Sequence, residues 1–242
     1  MPTYNECDNI KPILQAVRHN LPEADILVID DGSPDGTADL ADEMGRTDSH
    51  ISVLRRKEKL GLGLAYIDGF KNALAKGYEA IICMDSDFSH DPAVLPKIVD
   101  ALADNDFVLG SRYIPEGGTP DWTLHRRLIS RIGNITARML LNVPIKDCTT
   151  GYRGYRREAL EKLGFDKIKL TGYGFMIETA YQNYLNGMRI KEIPIIFPDR
   201  RFGKSKMSGA IVKEALFYVV KLRWQHMTGQ RTAVDTRQPA KN

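Results

Sequence analysis

Short apolar runs that end in acidic residues, set between helix-length amphipathic stretches, constrain this 242-residue chain more than any other feature. The clearest is Ile81-Ile82-Cys83-Met84, which has the length and composition of a buried strand and breaks directly into Asp85-Ser86-Asp87. Asp85 and Asp87 keep a period of two, so an extended chain turns both carboxylates to one side. Carboxylates that close repel unless a cation lies between them. Hard oxygen donors, few in number, suit Mg²⁺ or Mn²⁺ that also holds substrate phosphate. Taken alone, Asp-x-Asp favours the plainer reading of a solvated turn after a strand. Only the surrounding motifs tip the balance.

The pattern repeats. Ala24–Ile29 reads as a buried strand running into Asp30-Asp31-Gly32-Ser33-Pro34-Asp35-Gly36-Thr37, and Ile51–Leu54, Glu79–Met84 and Phe107–Gly110 read as further strands. Helical periodicity fills the gaps, roughly over 8–20, 37–44, 61–76 and 92–103. Strands alternating with helices of this length predict βαβ units, hence a Rossmann-like, mostly parallel sheet flanked by helices. The acidic motifs then fall at the carboxyl ends of strands, where open α/β sheets bind ligands. After residue 110 the sequence predicts a Pro- and Gly-rich loop at 115–121, a helix at 124–142 and a polar loop at 147–155. A helix through about 186, a strand at 189–197, a basic run at 199–206 and an amphipathic helix at 208–227 complete it. No linker or repeat intervenes, so the expectation is one domain over 1–227 and a polar, disordered tail over 228–242.

The net charge of +3 is too small to argue for nucleic acid. Three scattered cysteines, Cys7, Cys83 and Cys148, fit reduced thiols in the cytoplasm better than a disulfide framework. Neither a leader pattern nor an apolar run of transmembrane length stands out.

Taken in order, Pro2-Thr3-Tyr4-Asn5-Glu6, Asp30–Thr37, Gly61-Leu62-Gly63, Asp85-Ser86-Asp87, Gly110-Ser111-Arg112-Tyr113 and Gly203-Lys204-Ser205-Lys206 make a specific set. On these motifs the chain resembles the polyprenol-phosphate mannosyltransferases, the dolichol-phosphate mannose synthase group of glycosyltransferase family 2, from Pro2 to about Val220. The resemblance implies a GT-A nucleotide-diphospho-sugar transferase fold and inverting transfer of mannose from GDP-mannose to a polyprenyl monophosphate. It implies that Pro2, Tyr4, Glu6, Ile29 and Asp31 hold the nucleoside, and that Asp85, Ser86 and Asp87 hold the diphosphate and a Mg²⁺ or Mn²⁺ ion. Arg112, Arg126 and Ser130 take the acceptor phosphate, and Arg200 and Lys206 the donor phosphates, with Asp87, Arg112 and Arg126 as the catalytic residues. Two departures stand out. Ser89 occupies the position where the family places a glutamine as a further metal contact, and its shorter hydroxyl is expected to serve there directly or through water, beside Asp85 and Asp87. The family also has a buried strand directly before Pro-Thr-Tyr-Asn-Glu, where this chain has Met1. A sheet without that strand exposes unpaired backbone, so an added apolar extension is expected to raise the melting temperature.

The residue types suit this chemistry. Arginine presents a planar fork to phosphate, and Tyr4 and Glu6 suit stacking on a base and accepting from its donors. Plainer readings stand beside several of these. The Asp30–Gly36 stretch makes a good strand-to-helix turn, Arg127 and Arg138 suit a solvated face, and His90, His125, Trp122 and Trp224 suit packing. Cys148 has no paired base and is not expected to be a nucleophile. Helices 124–142 and 208–227 mix apolar residues with arginine and lysine, which fits a headgroup region as well as a core-packed face. A lipid acceptor favours peripheral attachment at the cytoplasmic face of the membrane, directly or through a membrane partner protein. Two alternatives remain: a related transferase using UDP-glucose or another nucleotide sugar, and a catalytically silent nucleotide-sugar-binding protein.

Overall fold

The computed structural model describes residues 1–165, 173–198, 218–224 and 228. Its elements run β1 (Pro2–Thr3), α1 (Cys7–Asn20), β2 (Ile26–Asp30), α2 (Thr37–Gly45), β3 (Ile51–Arg55), α3 (Leu62–Ala75) and β4 (Ala80–Cys83). A 3₁₀ turn at Pro92–Val94 leads into α4 (Leu95–Asp104) and β5 (Phe107–Ser111). Then come α5 (Leu124–Leu141), β6 (Arg153–Arg156), α6 (Arg157–Glu161), α7 (Tyr173–Leu185) and β7 (Ile190–Pro194). Residues 218–224 are helical.

Strand order is β1-β2-β3 in one sheet and β4-β6-β5-β7 in a second. Pairing is parallel throughout the first sheet and between β5 and β7, while β6 runs against both its neighbours. Helices cover both faces. Ile10, Ile13, Leu14 and Val17 of α1 meet Ile98 and Leu102 of α4 on one side, over Val28 and Val108. Tyr66 and Phe70 of α3, Ala137 and Leu141 of α5, and Phe175 and Ile177 of α7 meet on the other, over Phe107 and Leu109. Amphipathic helices bury their apolar stripes this way because the sheet offers two apolar faces.

Among the described residues no strand pairing joins the two sheets. β1 has two residues and pairs with Ile29 and Asp30. Below it a cavity of about 120 Å³ lies between β2 and β4, lined among others by Met1, Leu27, Tyr66, Phe70, Ile81 and Cys83. The α-amino group of Met1 reaches into this space, donating to Leu27 O at 2.8 Å, and burial pulls it down to about 6.

One expectation fails here. Within the stretch read as a polar loop, Arg153–Arg156 forms β6, the strand that joins β4 to β5. Its pattern is hidden because Gly154 and two arginines interrupt any apolar run. Gly154 is required by α4: a Cβ there would stand 2.5 Å from Ile98 Cγ2 and 2.9 Å from Leu102 Cδ1. Arg153 is fully buried yet donates to Thr150 O, Met176 O, Thr179 Oγ1 and Cys148 O at 2.7–2.8 Å. A buried guanidinium is tolerable only with its donors spent in this way.

Candidate active site

The loops at the carboxyl ends of the strands hold two clusters joined by the segment 147–152. The first forms around Asp85-Ser86-Asp87, directly after β4. Ser86, Asp87 and Ser89 are buried, whereas Asp85 keeps 37% of its side chain exposed. Asp87 Oδ1 accepts from Ser89 N at 3.0 Å. Phe88, between them, has φ of 62°, a left-handed backbone unusual for a bulky residue. Asp85 N donates to His90 Nδ1 at 2.8 Å. Burial holds His90 below its ordinary value, so the neutral ring can serve as that acceptor. Across from it, Gly151 comes so close that a Cβ would lie 3.3 Å from His90 Cε1 and 3.6 Å from Asp85 Oδ1. All the donors are hard oxygens, two carboxylates and a serine hydroxyl, which fits a divalent cation. Among the described residues no group of three His, Cys, Asp or Glu forms a cage of its own. The remaining positions would fall to phosphate and water, the usual arrangement for magnesium.

The second cluster is basic. Arg112, at the end of β5, is buried and forks onto Asp147, with Nε to Oδ2 and Nη2 to Oδ1 both at 2.7 Å. Arg112 also donates to Thr149 Oγ1 at 2.8 Å. Burial alone would raise the Asp147 carboxyl, but the Arg112 guanidinium holds it below its ordinary value. Tyr113 Oη donates to Ser130 Oγ of α5 at 2.7 Å, and Arg126, one turn earlier, stacks 3.8 Å above the Trp122 ring. Asn134, a turn beyond Ser130, donates to Thr149 Oγ1 at 2.9 Å and accepts from Cys148 N at 3.0 Å. So Arg126 and Ser130, one turn apart on α5, lie near the end of β5 that carries Arg112, with Trp122 and Tyr113 as shared neighbours. Aromatic rings bridge the two clusters: His90 stacks on Tyr152, Phe197 meets His90 edge-on, and Trp122 meets Phe197.

The residues expected at the nucleoside lie around β1 and β2. Tyr4 carries Lys59 Nζ 3.9 Å over its ring, and Glu6, at the N-cap of α1, accepts from Asn9 Nδ2 at 2.8 Å. Asp31 is buried against Arg56, which also pairs with Asp68 at 2.9 Å. Burial raises the Asp31 carboxyl while Arg56 opposes the rise. Its neighbour Asp30 is spent on the turn, accepting from Thr3 Oγ1, Ser33 N and Ser33 Oγ. Pro2 and Ile29 pair as strand residues, and the Ile29 side chain packs on Gly69. Arg200 and Lys206 lie outside the described residues, as do most of the stretch 208–227 expected to be helical and nearly all of 228–242.

Sequence reading missed Asp147, Thr149 and Asn134, which hold the basic cluster, and gave Trp122 and His90 only packing roles. Asp147 follows Lys146 in a polar segment with no periodicity, so nothing local marks it as a partner for a residue 35 positions away. Burial pushes the Cys148 thiol up to about 12, which removes it as a nucleophile at neutral pH.

Comparison with known proteins agrees with this layout. The profile of Glycosyl transferase family 2 matches residues 1–164. The chain is 43% identical over 93% of its length to a protein of Micrococcus luteus named undecaprenyl-phosphate mannosyltransferase, covering 91% of that protein. It is 44% identical over 90% of its length to the polyprenol monophosphomannose synthase of Mycolicibacterium smegmatis, covering 83% of it. In fold it is similar to the glucosyl-3-phosphoglycerate synthase of Mycobacterium tuberculosis in complex with phosphoglyceric acid. There the TM-score is 0.65 at 19% identity, over 92% of this chain and 77% of that one. The same enzyme with Mn²⁺, uridine diphosphate and glucosyl-3-phosphoglycerate gives a TM-score of 0.64 at 19% identity, with the same coverage. Strand order, ligand-side loops and sequence identity lead to one conclusion: this chain has a GT-A fold and belongs to glycosyl transferase family 2.

Proposed function

We propose that the chain transfers mannose, with inversion, from GDP-mannose to a polyprenyl monophosphate, as a peripheral protein at the cytoplasmic face of a membrane. One observation carries the reading. A carboxylate cluster and an arginine cluster both border the segment 147–152, Asp85 beside Gly151 and Arg112 on Asp147 and Thr149. The chain that holds them is more than two-fifths identical to relatives named for transferring mannose to polyprenyl phosphate.

The acceptor is a phosphate monoester whose second ionisation lies near pH ~6. Already anionic at neutral pH, it needs little help from a general base. The barrier lies in bringing two mutually repelling phosphorylated substrates together and in carrying charge on the departing nucleoside diphosphate. Catalysis then rests on positioning and electrostatic stabilisation. A divalent cation held by Asp85, Asp87 and Ser89 would supply a Lewis acid for that leaving group, and Mn²⁺ in the fold relative's complex supports such a role. Arg112, locked by Asp147, and Arg126, laid on Trp122, offer fixed positive charge to the acceptor, with the Ser130 hydroxyl between their elements. Pro2, Tyr4, Glu6, Ile29 and Asp31 frame the nucleoside on the other side, and Arg200 and Lys206 complete the donor phosphates. The whole of 1–227 acts as one domain on this reading, with 228–242 as its tail.

The experiment is transfer of radiolabelled mannose from GDP-mannose to a short polyprenyl phosphate with Mg²⁺, with Mn²⁺ and with EDTA. UDP-glucose is run as the competing donor. A mannose-labelled lipid that disappears in EDTA is the expected product. Glucose transfer in its place, or no product from a protein that still binds GDP, would overturn the donor assignment or the catalytic reading respectively.

A further inference from the structure

Helix α5 is inverted relative to an ordinary surface helix. At ~100° per residue, Leu124, Leu128, Ile132, Ile135 and Met139 fall within one 80° stripe. That stripe faces outward, with exposures of 81, 56, 53, 47 and 74%. Adding Ile129, six of the twelve exposed large hydrophobic residues among the described ones sit on this single helix. The inward side carries Ser130, Asn134, Ala137 and Leu141, with Arg126 at its edge. Scattered exposed apolar side chains are ordinary, but a continuous row marks a contact surface. The row from Leu124 to Met139 is about 22 Å long, at the helical rise of ~1.5 Å per residue.

Charge selects the occupant. Arg127, Arg131 and Arg138 line one flank of the stripe, Arg126 adds a fourth positive charge, and α5 contains no acidic residue. A second copy of the helix packed against this one would bring arginines against arginines with no carboxylate on either helix to neutralise them. An anionic bilayer answers both features at once, taking the apolar row below the headgroups and the arginines among them.

We propose that α5 is the membrane-contact surface of this protein, lying in the plane of an anionic bilayer with Leu128, Ile132, Ile135 and Met139 inserted. This rests on the polyprenyl-phosphate reading for its purpose, though the surface is observed independently of it. The turn that inserts Leu128 and Ile132 carries Ser130 and Arg126 on its protein side. A lipid phosphate at headgroup depth thus meets the basic cluster while its chain leaves along the apolar row. No step outside the plane of the bilayer is needed to present it.

The test uses the full chain and vesicles of phosphatidylcholine with and without phosphatidylglycerol. Wild type is compared with Leu128→Glu/Ile132→Glu and Ile135→Glu/Met139→Glu, each checked by circular dichroism for an unchanged melt. Sedimentation with the anionic vesicles is expected for wild type and weakened roughly tenfold or more in both variants. In a Trp122→Phe/Trp224→Phe background, Ile132→Trp and Met139→Trp should be quenched by brominated lipid, whereas Val99→Trp on α4 should not. Transfer to a short, water-soluble prenyl phosphate should be kept by the variants, and transfer to an acceptor embedded in vesicles lost. Loss of transfer by wild type on both acceptors, with vesicle binding and quenching intact, sinks the reaction and leaves the membrane surface standing. Variants that bind vesicles like wild type, or a wild-type dimer that the variants dissociate and that ignores vesicles, overturn the proposal.

Discussion

The Arg112–Asp147 pair shows how much of the site is carried by single residues. Both side chains are buried, and their two 2.7 Å bonds leave each dependent on the other. Asp147→Asn should destabilise the fold by about 3–5 kcal/mol, since it removes the charged partner from a buried ion pair, and thermal melts measure it. The pH sign is fixed by the lowered folded-state value of Asp147. Its contribution is complete above the unfolded value near ~3.8 and is lost as pH falls through the lower folded value. The gap in melting temperature between wild type and Asp147→Asn should therefore be constant near neutrality and narrow only below that point. A gap that already closes between pH 7 and 5 would rule out this ion pair as its source. In the first cluster, Asp87→Asn should cost about 2–4 kcal/mol of barrier, comparable to losing one preorganised donor, and should blunt the response of rate to added metal. At this scale Asp85, Asp87 and Arg112 sit in motifs that single them out as candidates, whereas Arg126 and Ser130 were named only through the family resemblance. Asp147 was not legible, because partnership across 35 residues is a property of the fold and not of the local sequence.

Elements were legible wherever hydrophobic period and burial coincide. α1 presents Ile10, Ile13, Leu14 and Val17 at helical spacing, all buried, and β2 and β5 are apolar because both faces are covered. β6 was illegible because its burial is carried by glycine and by arginines whose charges are satisfied within the fold. Gly154→Ala tests this directly. The new methyl would collide with Ile98 and Leu102, so a loss of about 1–3 kcal/mol is expected from overpacking. An unchanged melt would show that α4 moves away freely. For α5 the sequence offered two readings of one pattern, packed face or interfacial face. Only the fold, by turning Leu128, Ile132 and Met139 outward, removes the packed-face reading.

Across the whole molecule, the division into two sheets leaves a packing defect between β2 and β4. Motif order made the alternating α/β plan readable, but not how residues 1–3 pack at the boundary between the two sheets. The cavity of about 120 Å³ between β2 and β4 corresponds to at most about 3 kcal/mol of lost packing at ~24 cal/mol per Å³. An apolar six-residue extension built onto Met1, long enough to pair with Leu27 and Ile81, should raise the melting temperature by several degrees. A polar extension of equal length is the control, and an equal rise from both would remove cavity filling as the cause.

Two separable half-sites, one for the donor at Asp85 and Asp87 and one for the acceptor phosphate at Arg112, Arg126 and Ser130, are the core of this functional reading. The most direct measurement is the pair of values for Arg126→Ala: affinity for GDP by titration calorimetry, and KM for polyprenyl phosphate in the transfer assay. GDP affinity should match wild type while acceptor KM rises by about 30-fold or more, as for loss of a charge-assisted phosphate contact of ~2 kcal/mol. A fall in GDP affinity with acceptor KM unchanged would place Arg126 on the donor and contradict the two-half arrangement.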